Sequence, residues 1–286
     1  MPTSTIAAVL FHELTKGGKH AYGWFHSNEE EVWWQKHYGR ADTEAAFDVI
    51  SGYAESEGLD EGETSFFVGH TRYATTGAPE HMPNNHPILH GNILGVHNGK
   101  VYNSDSILTQ TGREDPTAKV DSEAIFAAIN KHGRVKGLQK LVTDMVSVFT
   151  DTRHLDRFYV ARSANRPCVF GFTTKGNIIF ASERKALEAL YPMVRFTHFS
   201  DMLPDRLITI KRGKIIERRD IRIRSSAPVL PPTPKKWNPK VSVGDVRGSL
   251  GVDLDLMLAQ QRVADRREAK ARERGARYFD LPSGRS

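Results

Sequence analysis

Residues 69–103 hold the side chains whose types and spacing could do chemistry; they read GHTRYATTGAPEHMPNNHPILHGNILGVHNGKVYN. Arg72 follows the apolar run Phe66-Phe67-Val68, which puts it at the end of a strand. A guanidinium there offers a planar, two-pronged fork for a carboxylate. Residues 92–97 read as a second buried strand leading into Asn98-Gly99. An Asn amide beside a Gly backbone N–H is a plausible pair of donors for a developing oxyanion. Glycine also lets backbone approach a ligand closely. Further on, Asp121-Ser122-Glu123 opens a helical pattern, and Asp121 could cap that helix or hold a substrate ammonium. Taken singly, each feature has a structural explanation: an ion pair for Arg72, a hairpin turn for Asn98-Gly99, a cap for Asp121. Together and in this order, they favour a site.

The set resembles the glutaminase domain of class II glutamine amidotransferases, members of the N-terminal nucleophile hydrolases. The likeness is closest to the branch of glucosamine-6-phosphate synthase and amidophosphoribosyltransferase. The family's His-Thr-Arg-aromatic-Ala-Thr stretch matches His70 to Thr75, and its Asn-x-His-Pro matches Asn84-Asn85-His86-Pro87. Its His-Asn-Gly matches His97-Asn98-Gly99, and its Asp-Ser/Thr-Glu matches Asp121-Ser122-Glu123. The resemblance extends over residues 4 to about 222. It implies that Arg72 binds the α-carboxylate of glutamine and Asp121 its α-ammonium. It implies an oxyanion hole from Asn98 and Gly99, an aromatic packing near the site at Tyr73, and a pocket-lining residue at Thr75. His86 and His97 are structural on this reading. Thr76 stands where the synthase branch has His. No cofactor and no metal are implied, and the 12 His show no metal-ligand spacing.

The departure lies at the N-terminus. The family's mature chain begins with Cys, whose thiol attacks the amide while the chain's own α-amine acts as base. Laying Ile6 on the family's Cys-Gly-Ile puts Ser4 where Cys belongs. Removing Met1 alone exposes Pro2, which has no nucleophilic side chain; activity by the family's route requires a free Ser4. The single cysteine, Cys168, lies in the strand-like run Pro167-Cys168-Val169-Phe170-Gly171 and reads as a small core residue.

The elements that must position these residues are α+β in pattern. Strands are expected over residues 5–11, 21–26, 65–70 and 92–102. Helices are expected from a capping box at Ser27 and Glu30 through His37, and over residues 43–56, 121–132 and 135–143. Mostly strands follow to Ile221, with a helix over residues 184–191. The resemblance implies a four-layer αββα sandwich.

Composition bounds the rest. There is no apolar run long enough to span a bilayer and no signal peptide pattern, so a soluble cytoplasmic protein is the expectation. The net charge of +6 is unevenly placed: residues 223–286 hold 13 Lys+Arg against 7 Asp+Glu. The organisation expected is a glutaminase-like domain over residues 1–222, a Pro-rich linker over 223–250 and a basic helical tail over 251–286. The tail suits docking on a protein partner or in a homo-oligomer; a nucleic-acid contact is the alternative. Three functions fit. One is a degenerate glutaminase fold used for glutamine binding or assembly. Another is an active subunit supplying ammonia to a separate synthase, with Ser4 as nucleophile after processing. The third is a hydrolase of another amide activated by cleavage before Ser4.

Overall fold

The computed structural model describes residues 3–60 and 66–225. The chain begins with helix α1 (Thr3–Leu14), strands β1 (Ala21–Ser27) and β2 (Val32–Tyr38), helix α2 (Glu44–Ser56) and strand β3 (Phe66–Arg72). Strands β4 (Ile88–His90) and β5 (Ile93–Val101) lead to helices α3 (Ser104–Thr111), α4 (Glu123–His132) and α5 (Arg134–Lys140). Strands β6 (Thr143–Asp151), β7 (Arg157–Arg162), β8 (Val169–Thr173) and β9 (Ile178–Ala181) follow. Helix α6 (Arg184–Glu188) and strands β10 (Phe196–Asp201), β11 (Arg206–Lys211) and β12 (Lys214–Asp220) complete the order.

Strands 4, 5, 6, 7, 11 and 12 form one six-stranded antiparallel sheet in the order β12-β11-β7-β6-β5-β4. One face of it packs Met145, Phe149, Tyr159 and Leu207 against Ile107, Phe126, Ile129 and Leu138 of α3, α4 and α5. The other face sets Val96, Val146, Val148 and Val160 against Phe25, Phe66, Val68 and Phe170. Those last residues belong to two three-stranded sheets, β2-β1-β3 and β10-β8-β9. Helices α1, α2 and α6 cover their outer side. The result is the four-layer αββα arrangement that the resemblance implies, with the outer sheet layer divided so that β3 and β9 each end a sheet.

Two expectations from sequence are corrected. Residues 5–11 form a helix and not a strand. Ala7 and Phe11 pack with Tyr22, Trp24 and Ile50, while Leu10 and Leu14 pack with Val169, Ala181 and Ile179. Both pairs are four residues apart, the spacing that shares a helix face; a strand would alternate sides at every residue. The segment after Ser27 is the second strand of a hairpin and not a helix. Each residue of β2 pairs with β1, and Trp33 stacks on its cross-strand partner His26 with centroids 5.0 Å apart. Ser27 accepts the Glu29 N–H in the connecting turn, so it does not cap a helix. By contrast, Thr43 does cap α2, accepting the Ala46 N–H at 3.2 Å.

Ile221 and Ile223 are buried in the core, and Arg224 forms a parallel bridge with Val142. The remainder of the expected linker and the whole expected basic tail lie outside the described residues. Among the described residues no helix is long and apolar enough to cross a membrane.

Candidate functional site

Arg72 closes β3 and is buried, at 5 % exposure. Its Nη1 donates to Asn85 Oδ1 at 2.9 Å, and its Nη2 donates to the carbonyls of Thr76 and Gly77 at 2.6 and 3.0 Å. The guanidinium therefore ties the end of β3 to the loop that follows it. Burial lowers its pKa, and the nearby Asp121 carboxylate opposes that shift.

Asn98 and Gly99 lie within β5, paired with Val146 and Met145 of β6; they are not a hairpin turn. Gly99 has φ +149, and a Cβ there would collide with the Asp144 carbonyl oxygen. The strand admits only glycine at this point. Asp121 does not cap α4: its Oδ2 accepts the Val101 N–H at 2.6 Å, fastening the end of β5 to the entry of the helix. Next to it, Glu123 is 2 % exposed and holds the Glu114 N–H at 2.7 Å, Arg113 Nη1 at 3.0 Å and His90 Nδ1 at 3.1 Å. Tyr73 is 57 % exposed and lies against His20, with ring centroids 4.7 Å apart.

These residues converge. Arg72, Tyr73, Thr75, Asn98, Gly99 and Asp121 all line one cavity of about 420 Å³. Its walls come from β3 on one side and from β9 and its end on the other, over a floor of β5 and β6. Leu14, which ends α1, and Gly17, just past it, line the same cavity.

Three imidazoles also line it. His70 and His86 have ring centroids 4.3 Å apart, and His86 and His97 are 6.5 Å apart. His70 Nε2 meets the His97 carbonyl at 3.0 Å, and His97 Nδ1 meets Ser122 Oγ at 2.9 Å. Burial pushes His70 down to about 3 and His86 well below its ordinary value. Burial also takes His97 down to about 4, with Asp121 pulling upward and Arg166 downward. All three are neutral at neutral pH. Among the described residues no group of His, Cys, Asp or Glu could hold a metal ion.

Ser4 is not brought to this cavity. It stands in the first turn of α1, where its backbone N–H and its hydroxyl both donate to the Asp60 carboxylate, at 2.9 and 2.5 Å. Cys168 does line the cavity but is 1 % exposed, and burial pushes its thiol up to about 12. It is a protonated core residue at neutral pH.

Residues 70–189 match the family described as "Glutamine amidotransferase domain". Over those residues the chain is similar to a glutamine amidotransferase domain. It is 33% identical over 182 residues to the glutamine–fructose-6-phosphate aminotransferase (isomerizing) of Aliivibrio fischeri, covering 57% of this chain and 27% of that protein. It is 29% identical over 169 residues to the Vibrio cholerae protein of the same name, covering 54% and 25%. The chain thus spans about a quarter of the length of these relatives. Among solved structures it is similar to glutamine phosphoribosylpyrophosphate amidotransferase from B. subtilis complexed with ADP and GMP, with a TM-score of 0.59 at 18% identity. That match covers 77% of this chain and 47% of the other. A structure titled as the allosteric regulatory enzyme of purine biosynthesis gives a TM-score of 0.61, also at 18% identity, covering 79% and 48%. At that identity these two establish the fold.

Sequence reasoning missed Arg166 and the contribution of Leu14 and Gly17 to the cavity. Arg166 precedes Pro167 in an irregular, exposed connection, and no periodicity marks it. Leu14 lies beyond the strand expected over residues 5–11 and joins the cavity because the helix runs on to it.

Proposed function

We propose that this glutamine amidotransferase domain recognises glutamine and serves binding or assembly without an N-terminal nucleophile at its cavity. One observation carries the reading: the six residues assigned to glutamine recognition line one cavity, while Ser4 is held on Asp60 in α1. In this reading Asp121 receives the ligand's ammonium, and Arg72, Tyr73 and Thr75 shape the wall around its amino-acid end. Asn98 and Gly99 sit over the side-chain amide. The neutral imidazoles in the lining add polar edges without adding charge. Cys168 offers no substitute nucleophile, because attack requires a thiolate.

Titration calorimetry with L-glutamine tests this. Saturable binding that is lost in Arg72→Ala supports it; absence of binding in the millimolar range defeats it.

The second reading is an active subunit that releases ammonia for a separate synthase, with Ser4 as nucleophile after processing. The intact Asn98-Gly99 pair favours it. It requires Ser4 to leave Asp60 and the start of α1 to unwind, so ammonia would appear only from a sample whose N-terminal residue is Ser4.

A further inference from the structure

We propose that Lys100 and Arg166 form a phosphate-binding site on a shelf at the rim of the cavity, suited to a small molecule that carries a phosphate monoester. The site is separate from the residues assigned to glutamine and stands whether or not glutamine binds.

Asp144 of β6, only 8 % exposed, organises this shelf. Three segments converge on its carboxylate. Tyr102, just past β5, donates its hydroxyl to Oδ2 at 3.1 Å. Asn165, in the connection between β7 and β8, donates Nδ2 to Oδ1 at 3.3 Å. The Ser225 hydroxyl also donates to Oδ1. Each segment brings an exposed cation. Lys100 is the cross-strand partner of Asp144, and its ammonium lies 5.6 Å from the centroid of the Tyr102 ring. Arg166 follows Asn165, and Arg224 precedes Ser225. Asn165 has φ +67, a left-handed backbone that Asn tolerates better than most residues, and this sets the direction in which the chain delivers Arg166. Partners across an antiparallel pair have Cα atoms about 5 Å apart. Lys100 and Arg166, each one step from Asp144, are therefore within reach of one anion.

The nearby carboxylates are turned to other work. Asp144 ties the three segments together, and Asp121 holds the Val101 N–H. Among the described residues neither the Lys100 ammonium nor the Arg166 guanidinium has a hydrogen bond or ion pair. Arg224 gives one Nη2 donor to the Lys140 carbonyl at 3.3 Å and adds a third positive charge. Arg166 also lines the cavity, and its charge acts on His97 in the lining, so the shelf opens onto the rim. Two unpaired cations call for a dianion. A phosphate monoester carries a charge of about −1.5 to −2 at neutral pH, whereas a carboxylate would answer only one of them. Arg166 offers the two-pronged fork and Lys100 the point charge that phosphate oxygens accept.

Calorimetry on the full chain with inorganic phosphate, glycerol phosphate and a short oligothymidylate decides it. Saturable binding of glycerol phosphate is expected, weakened about 10- to 100-fold in Lys100→Ala and again in Arg166→Ala, the size of a lost charge-assisted hydrogen bond. Arg166→Lys should recover only part of that, since an ammonium cannot present two parallel donors. Lys214→Ala, a charge removed from β12, should leave the affinity unchanged. Melting temperature should hold in all these variants, because the side chains are exposed. Phosphate binding that ignores both Lys100 and Arg166 overturns the assignment, and so does the absence of phosphate binding by the wild type. Binding of inorganic phosphate without glycerol phosphate overturns the monoester. Oligothymidylate bound with a steep loss in salt, where neither small phosphate binds, overturns it as well and makes the shelf a nucleic-acid contact. L-glutamine titrated into the same samples reads the other site: its failure to bind removes glutamine recognition and leaves the phosphate site standing.

Discussion

At the scale of the residue, some of the site's motif residues hold the fold together as well as line the cavity. Arg72 and Gly99 line the cavity and also hold its frame. Replacing Arg72 with Lys removes a fork that serves Asn85, Thr76 and Gly77 at once. We expect it to destabilise the fold by about 2–4 kcal/mol in denaturant unfolding, because a single ammonium cannot satisfy all three acceptors. Gly99→Ala drives a methyl group into the Asp144 carbonyl and should cost roughly 3 kcal/mol or more. Asn98, paired with Val146 of β6 but exposed, should behave differently. Asn98→Ala is expected to leave the melting temperature in place and lower glutamine affinity. A large loss of stability in that variant would mean that Asn98 is structural.

The buried imidazoles make a prediction about pH. Burial holds His26 and His97 down to about 4 and His70 to about 3, against an ordinary value of 6.5, and His86 is also depressed. Below pH 6.5 the unfolded chain binds these protons and the folded chain does not. Their contribution to stability is therefore whole above the unfolded value and is lost as the pH falls from 6.5 toward 4. Each contributes a slope of up to about 1.4 kcal/mol per pH unit in that window. Unfolding followed between pH 7 and pH 4 should show a steep loss; a flat profile would mean that the cluster is hydrated and already protonated.

At the scale of the element, α1 is the feature on which the account turns. Phe11 is 3 % exposed and packs on Tyr22 and Trp24 with centroids about 6 Å away. Phe11→Ala should cost about 3–5 kcal/mol, the usual range for an emptied aromatic site. Backbone chemical shifts over residues 5–11 would report helix or strand directly. The apolar run Ile6 to Phe11 was misread because a short apolar run is ambiguous by periodicity alone; only the neighbours on both faces settle it. The same holds for β2, where a Ser-x-x-Glu pattern resembles a cap but the pairing of Trp33 with His26 wins. What was legible had a local cause. The helical stretch over residues 43–56 announces α2, the apolar run over residues 92–97 announces β5, and the motif residues mark the cavity. Arg166 was not legible as a cavity residue, because it lines the cavity only through the path of the connection between β7 and β8.

At the scale of the whole molecule, charge and chemistry are separated along the sequence. Residues 1–222 hold equal numbers of basic and acidic residues, and the excess falls after them. Removing residues 226–286 should therefore leave glutamine affinity and melting temperature unchanged while abolishing any partner or self-association. If the extension instead binds nucleic acid through 6–10 phosphate contacts, affinity should fall by about 10³-fold or more between 50 and 200 mM salt. We expect weak, nearly salt-independent retention, because acidic residues such as Asp265, Glu268 and Glu273 are interspersed among the basic ones.

The measurement that bears most directly on the central claim is glutamine binding and ammonia release on one purified sample, with its N-terminal residue read. Saturable glutamine binding without ammonia release, from a chain whose first residues are in place, is the expected result. Turnover from that same unprocessed chain would contradict it, and so would the absence of any glutamine binding.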